Sequence, residues 1–577
     1  MPLPPIPSLS PGDLREASWD DLRPLFEELV ERPLDGDAGF AAWLADWSRL
    51  DETVTEAAAL ATIAYTCDTA DAAKEAAHLR FNGDILPQLE EWEVRLARRL
   101  VESGRIRPGM EVSLRQFRTA IEIFREENVP LLTEIENHST RYQKITGGLT
   151  VLWEGEERTL PELQPYLQDP DRSVRERAFR LGCEAYAAVR DELAGIFDQL
   201  FALRVRVAQN AGFDDVQAYS FRSKCRFDYT PEDCHRYHQA VEQVVVPAVD
   251  RLMARRRERL GVSGLRPWDV GPDPEGRPAL RPFRAVDELI HIGHTVFRRV
   301  APDFGAQFQT MIDESLLDLD ARKGKAPGGY CETLHRRGRP FIFMNAVGVV
   351  DDVSTLLHEC GHAFHAFEAH AQPLIWQRHP GLEVCELASM SMELLAAPYL
   401  GKPEGGFFTS EELARARVEH LEDVLITLCH VASVDAFQTW IYTSGHGADA
   451  AARDRAWLEV RSRFERAIDW SGLERERVTR WYRQLHIFLY PFYYIEYGIA
   501  QVGALQVWRN SLRNQSDAVA RYRAALALGN TRSLPEIFQA AGVRFSFDPG
   551  LLAELVELVE RELDYWLSRS GPLRTAS

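Results

Sequence analysis

Residues 354–367 read Ser-Thr-Leu-Leu-His-Glu-Cys-Gly-His-Ala-Phe-His-Ala-Phe. On a helix, His358 and His362 fall one turn apart on one face. Two imidazoles so placed can both reach one zinc ion at about 2.0–2.1 Å. Glu359 is one step round the helix. There it can take a proton from an attacking water without itself binding the ion. Leu356, Leu357, Phe364 and Phe367 surround these groups with apolar side chains, so the stretch reads as a buried helix that carries chemistry.

A zinc site with an open position needs a third protein ligand. A third histidine six residues after the second is one solution, but residue 368 is Glu368 and His365 falls short of it. The other solution is a carboxylate from a later helix, with Glu368, Glu383, Glu386 and Glu393 as candidates. Glu386 and Glu393 are seven residues apart in Glu386-Leu-Ala-Ser-Met-Ser-Met-Glu393 and therefore share a helix face. Two carboxylates on an otherwise apolar helix are costly unless paired or ligated. Glu386 is the expected ligand, and Glu393 the expected partner that orients a histidine or tyrosine. His365, one turn beyond His362, is expected to support the ligands rather than join them.

The rest of the chain limits the alternatives. Its 577 residues are too many for one simple core and 45% of them are hydrophobic, so two or three units or one large composite body is expected. The net charge of −20 argues against a nucleic-acid surface, which would carry a basic stripe. Eight cysteines at irregular spacing, with no CxxC pair, read as free thiols in a reducing compartment. The opening MPLPPIPSLSPGD lacks the features of a signal peptide, and no uninterrupted apolar run of about 18 residues occurs. The expectation is a cytoplasmic protein that binds neither membrane nor nucleic acid.

Most of the chain has helical periodicity, so the fold class is mainly α. Residues 18–32 place Trp19, Leu22, Leu25, Phe26 and Leu29 on one face, with Ser18 or Asp20 as cap. Helices are also expected over 83–102, 111–140, 173–190, 193–210 and 230–260, the last opening with Thr-Pro-Glu-Asp. Residues 149–160 read as one β-hairpin. Phe341-Ile-Phe-Met344 reads as a short strand, part of a small sheet beside the two-histidine helix. Residues 262–283 and 324–329 read as Gly/Pro-rich loops. A boundary near residue 195 divides an N-terminal helical region with the hairpin (1–195) from a catalytic region (196–577). The strand 341–344 could accept an extended peptide by strand addition. Tyr493 and Tyr497 are one turn apart if Pro491 opens a helix. His291-Ile-Gly-His294 resembles a nucleotide-binding tetrapeptide without its usual context and reads as coincidence. Cys234, His235 and His238 read as a helix surface rather than a metal site.

Together, Thr355-Leu-Leu-His-Glu-Cys-Gly-His-Ala-Phe-His365, Glu386-Leu-Ala-Ser and Glu393 resemble the thimet oligopeptidase and oligoendopeptidase F family of zinc metallopeptidases. Gly324-Lys-Ala-Pro-Gly-Gly-Tyr330, Pro340-Phe-Ile-Phe-Met-Asn345, Leu167-Gln-Asp-Pro-Asp-Arg172 and Pro491-Phe-Tyr-Tyr-Ile-Glu-Tyr497 bring it nearest the oligoendopeptidase F branch. The resemblance covers roughly residues 115–565. It implies a large helical body with a deep channel, one zinc ion, and cleavage of internal bonds in short peptides with Glu359 as general base. It also implies oxyanion donors from a late His/Tyr-rich segment. Here His486, Tyr493 and Tyr497 are the expected donors, with Tyr490, Tyr494 and Tyr497 as a competing set. Cys360 stands where the family commonly has a larger apolar residue. Two rival readings are a helical zinc carboxypeptidase and a catalytically silent peptide-binding protein.

Overall fold

The structure is a computed structural model that describes residues 3–322, 324–326 and 328–570. Lys323 and Pro327, the latter inside the Gly324–Tyr330 stretch, lie outside the described residues. The chain is mainly helical and forms two compact units, each built from separated segments. The first comprises Met1–Phe124, Arg281–Leu413 and Gly503–Phe545; the second comprises Arg125–Leu280, Ala414–Val502 and Ser546–Ser577. Residue 195 falls inside the helix Arg190–Asn210 of the second unit.

In the first unit, the helix Trp19–Glu31 starts where Asp21 accepts from both the N–H and the hydroxyl of Ser18, at 2.9 and 2.7 Å. Its apolar stripe buries Leu22, Phe26 and Leu29. The next helix, Gly36–Cys67, contributes Trp43 and Trp47 to the same core. The Trp47 ring lies 4.3 Å from that of Trp376, which ties the N-terminal helices to the segment just before Glu386.

Proline corrects two of the expected helices. The span 111–140 is two helices, Glu111–Ile123 and Val129–Gly147, and Pro130 occupies the first turn of the second. A proline fits there because its missing N–H would have no partner in any case. The span 230–260 begins with Thr230 capped reciprocally by Asp233, then passes through a wide turn at Val241–Val245 before Val246–Leu260 resumes with Pro247 in its first turn.

The expected hairpin is present in the second unit as β1 (Thr150–Trp153) and β2 (Glu156–Thr159). Its turn residues Glu154 and Gly155 have φ of 55° and 88°, the sense that matches the strand twist in a two-residue hairpin. The first unit holds a three-stranded sheet, β3 (Leu317–Asp320), β4 (Tyr330–Leu334) and β5 (Arg339–Ala346), in the order β3-β5-β4. β5 contains the strand expected at 341–344, but it lies in the middle, parallel to β3 and antiparallel to β4. Its backbone is engaged on both sides, so it cannot accept a peptide. The edge strand beside it is β4.

Two helices of the first unit matter most, α1 (Val350–Ala369) and α2 (Leu382–Ala396). α1 follows β5 through a turn at Gly348, whose φ of 88° suits glycine. Asp352 fixes that turn by accepting from the N–H groups of Val347, Gly348 and Val349 at 2.9, 2.7 and 2.9 Å. The far face of α1 is apolar: Phe364 stacks on Phe304 at 4.5 Å and meets Phe297 edge-on at 5.1 Å.

The helix Ser410–Thr443 is long and apolar enough to cross a membrane by length and composition, which a search for uninterrupted apolar runs overlooks. However, 72% of its most apolar window is buried within the protein. Its Asp435 pairs with His238 at 2.8 Å, which makes His238 a buried core histidine and not the surface residue expected. None of the eight cysteines forms a disulfide among the described residues.

Candidate metal centre

The centre is built where α1 and α2 cross. Gly361 faces α2 directly: a Cβ there would lie 2.5 Å from the Cα of Ser389 and 2.7 Å from the carbonyl oxygen of Ala388. Only a residue without a side chain allows this approach, and both contacts are backbone that cannot swing aside. The approach places Glu386, three residues before Ser389, against the two histidines. Gly361→Ala is expected to destabilise the fold by about 1–3 kcal/mol through overpacking and to reduce metal binding by moving Glu386. Urea unfolding and metal stoichiometry read the two effects, and an unchanged variant would show that the crossing tolerates a wider spacing.

The ring centroids of His358 and His362 are 5.1 Å apart, and the pair meets edge-to-face. His358 Nε2 lies 3.3 Å, and His362 Nε2 3.9 Å, from Glu386 Oε2. Ligating atoms from these three residues all lie within 4.8 Å of one another. Donors about 2.0–2.1 Å from one ion at tetrahedral angles would be roughly 3.3–3.4 Å apart, so the group fits a single small cation. Glu386 also accepts from the Ser389 hydroxyl at 3.2 Å. Glu393 is not in this group. Its Oε1 lies 2.7 Å from His358 Nδ1, which leaves Nε2 directed at Glu386. Glu393→Ala is expected to weaken metal binding about 10–100-fold, measured by competition with a chromogenic chelator. Unchanged affinity would detach Glu393 from the centre.

Burial and neighbouring charges set the protonation of the group. Burial opposes charge on His358, but Glu386 and Glu393 outweigh it and hold the imidazole well above its ordinary value. Burial pushes His362 down to about 4. Burial would raise Glu386, but the hydrogen bond from His358 and the charge near His362 keep it below its usual value. Glu359, buried beside the ligands, is pushed up to about 7 by burial, with His358 opposing and Glu386 and Glu393 adding to the rise. His365 is buried, stands outside the three-donor group, and is driven down to about 3.

β4 runs alongside α1, and its Cys331 thiol feels the charge of Glu359. The register shows which way the β4 backbone points. The N–H of Ile342 donates to the carbonyl of Leu316, just before β3, at 2.9 Å, so its partner Cys331 is not hydrogen-bonded to β5. Thr333 stands opposite Pro340, which has no N–H to offer. The N–H and C=O groups of Cys331 and Thr333 therefore point away from β5, to the outer edge of the sheet.

Sequence reading missed the two residues that hold the loop before β4. Lys325 is fully buried and donates to the Asp318 carboxylate at 2.8 Å and to the carbonyls of Asp318, Asp320 and Met344 at 3.0, 2.8 and 2.5 Å. Asn345 Nδ2 donates to the carbonyls of Ala326 and Gly328 at 2.8 and 2.9 Å. Both lie in motifs that carry the resemblance, but only the three-dimensional contacts show their task.

In the second unit, four tyrosines gather round His486. Ring centroids lie 4.8 Å away for Tyr494, 5.4 Å for Tyr493 and 6.0 Å for Tyr490 and Tyr497. Pro491 does not open a helix as expected. It precedes Phe492, which has a φ of 61°, and the helix begins only at Tyr494. Gln438 accepts from the Phe492 N–H at 3.2 Å, and Arg226 donates to its carbonyl and to Glu496. The kink still brings the Tyr493 and Tyr497 rings to 5.1 Å. Gln484 Nε2 donates to the Tyr494 hydroxyl at 2.6 Å, and Gln484 Oε1 pairs with His430 Nε2 at 3.1 Å.

A mainly helical chain with two histidines and a glutamate converging from crossed helices, and a second glutamate orienting one histidine, is a metal-binding protein of the two-histidine, one-carboxylate class. Comparison with known proteins gives the family. Residues 165–557 match Peptidase family M3 and residues 13–120 match the Peptidase M3 N-terminal domain, so the chain belongs to this family. It is similar to an oligoendopeptidase F homolog of Lactococcus lactis, 21% identical over 68% of this chain and 66% of the relative. It is also similar to the oligopeptidase PepF of Bacillus subtilis, 21% identical over 69% of this chain and 58% of the relative. The matched region thus spans about two thirds or less of these curated relatives. A solved structure of PZ peptidase A with inhibitor 2 superposes with a TM-score of 0.87 at 28% identity, covering 95% of this chain and 97% of that one.

Proposed function

We propose that the chain is a zinc-dependent endopeptidase acting on short peptides. The observation that carries this reading is the convergence of His358 Nε2, His362 Nε2 and Glu386 Oε2 beside a buried Glu359. Two imidazoles and one carboxylate are a donor set that suits zinc with one open position. Bound there, zinc would polarise the scissile carbonyl and acidify an attacking water. Glu359 takes the proton at its carboxylate and returns it to the leaving amine. A value near 7 suits both transfers.

The outer position of β4 in the sheet supports a peptide substrate. Cys331 and Thr333 offer backbone donors and acceptors that ignore side-chain identity, and they accept only an extended chain. Folded proteins would be excluded, and a peptide in a channel of the kind the resemblance implies would fit. The resemblance also assigns oxyanion donors to His486, Tyr493 and Tyr497. The shared packing of these rings and the fixed turn at Phe492 support that assignment.

The test is hydrolysis of an internally quenched peptide blocked at both ends, with a zinc chelator and after zinc is restored. Internal cleavage that follows the metal is expected. If the blocked peptide survives while one with a free C-terminus is trimmed, the chain is a carboxypeptidase. If neither is cut but both bind, it is a peptide-binding protein.

A further inference from the structure

The second unit contains a cavity of about 240 Å³ that the proposed chemistry does not use. This is close to the lower end of small-ligand sites, roughly 300–1,000 Å³. Phe179, Met253, Phe464, Ile468 and Trp470 give it mostly apolar walls. Four arginines also line it, Arg461, Arg466, Arg480 and Arg483, against a single carboxylate, Glu465.

That carboxylate is already shared. Glu465 accepts from Arg461, from Arg480 at 2.8 Å and from Trp470 Nε1 at 2.9 Å, with Arg477 3.8 Å away. Arg466 is turned to Glu242 at 3.2 Å and also feels Asp250. Arg483 packs over the Tyr186 ring and hydrogen-bonds that tyrosine, and it forms no ion pair among the described residues. Arg461 is only 5% exposed, and its Nε has no hydrogen-bond partner. His430 adds no charge, because its Nδ1 faces Arg461 Nη1 at 3.3 Å as an acceptor. The cavity therefore has an excess of guanidinium groups inside a chain whose net charge is −20.

We propose that this cavity binds a small organic anion, a carboxylate on an apolar body. Planar guanidinium forks suit a carboxylate. Arg483 and Arg480 would take the head group. The apolar body would lie on Trp470, Phe179 and Met253. Inorganic phosphate would satisfy the arginines but leave the apolar walls uncovered, so it should bind more weakly.

Titration calorimetry of the full chain tests this with 4-phenylbutyrate, its neutral amide 4-phenylbutyramide, and inorganic phosphate. Saturable one-site binding of 4-phenylbutyrate is expected, weaker binding of phosphate, and none of the amide. Arg483→Gln removes no ion pair and keeps a donor beside Tyr186, and it should weaken 4-phenylbutyrate about tenfold, the loss of one charged hydrogen bond. Thermal unfolding of that variant without ligand checks its fold. No saturable binding, equal binding of the amide, or unchanged affinity in Arg483→Gln would overturn the site. Phosphate binding the more tightly would overturn the apolar-body assignment. Binding is read without turnover, so the result does not depend on peptidase activity.

Discussion

Glu359→Gln is expected to lower turnover of a doubly blocked peptide by about 10²–10⁴-fold while leaving metal binding intact. The amide matches the carboxylate in shape but cannot accept the proton. Glu359 is not one of the three converging donors, so the ion has no reason to leave. Folding should not suffer either. Glu359 is 8% exposed, and its charged form is disfavoured by burial, so a neutral amide removes an unfavourable charge. Turnover and elemental zinc content should be measured on the same preparation. Zinc retained with the rate unchanged would remove Glu359 from the proton transfer. Zinc lost along with the rate would make Glu359 part of the metal shell, against the geometry.

The convergence of His358, His362 and Glu386 was legible because its information is local. His358, Glu359 and His362 sit within five residues, and Glu386 and Glu393 within eight, so the helical period alone places the two histidines on one face with Glu359 one step round, and the two glutamates on one face of their own helix. What could not be read is how the two helices meet. Gly361 looks like a weak helix residue in sequence, yet it sets the spacing of the crossing. Lys325 looks like a loop charge, yet it is fully buried and joins the loop to β3 and β5.

The sheet shows the same limit. Phe341–Met344 is an uninterrupted apolar run because β5 is covered on both faces, so its existence was plain. Its neighbour Leu317–Asp320 alternates but is only four residues long, Tyr330–Leu334 has no clean alternation, and the pairing of Tyr330–Leu334 and Leu317–Asp320 with β5 is not written in either segment. The central position of β5, and therefore the identity of the edge, was hidden. Helical seams were hidden for a related reason: each compact unit combines three separated segments, and no linker composition marks the joins. The turn at Phe492 was missed because a positive φ in a bulky residue has no sequence signal when Gln438 and Arg226 enforce it from a distance.

Glu386→Gln is expected to weaken metal binding well beyond the 100-fold ceiling expected for loss of an outer partner such as Glu393, and to abolish peptide cleavage at ordinary zinc concentrations. The effect should also depend on pH. In the metal-free protein Glu386 and Glu393 favour a proton on His358, holding it well above its usual value. That proton and the metal compete for Nε2, so apparent affinity should rise as pH rises and the imidazole becomes neutral. The same pairing stabilises the metal-free fold below the usual histidine range, and that contribution is lost as pH rises through the folded value. In Glu386→Gln one of the two carboxylates that hold the proton is gone. The pH dependence of zinc affinity should flatten as its magnitude falls. Titration of zinc into both proteins at pH 6, 7 and 8 separates the outcomes. A variant that binds zinc as tightly as the parent would dismiss Glu386 as a ligand. One that binds weakly with an undiminished pH slope would leave Glu386 as a ligand but assign the proton on His358 to Glu393 alone.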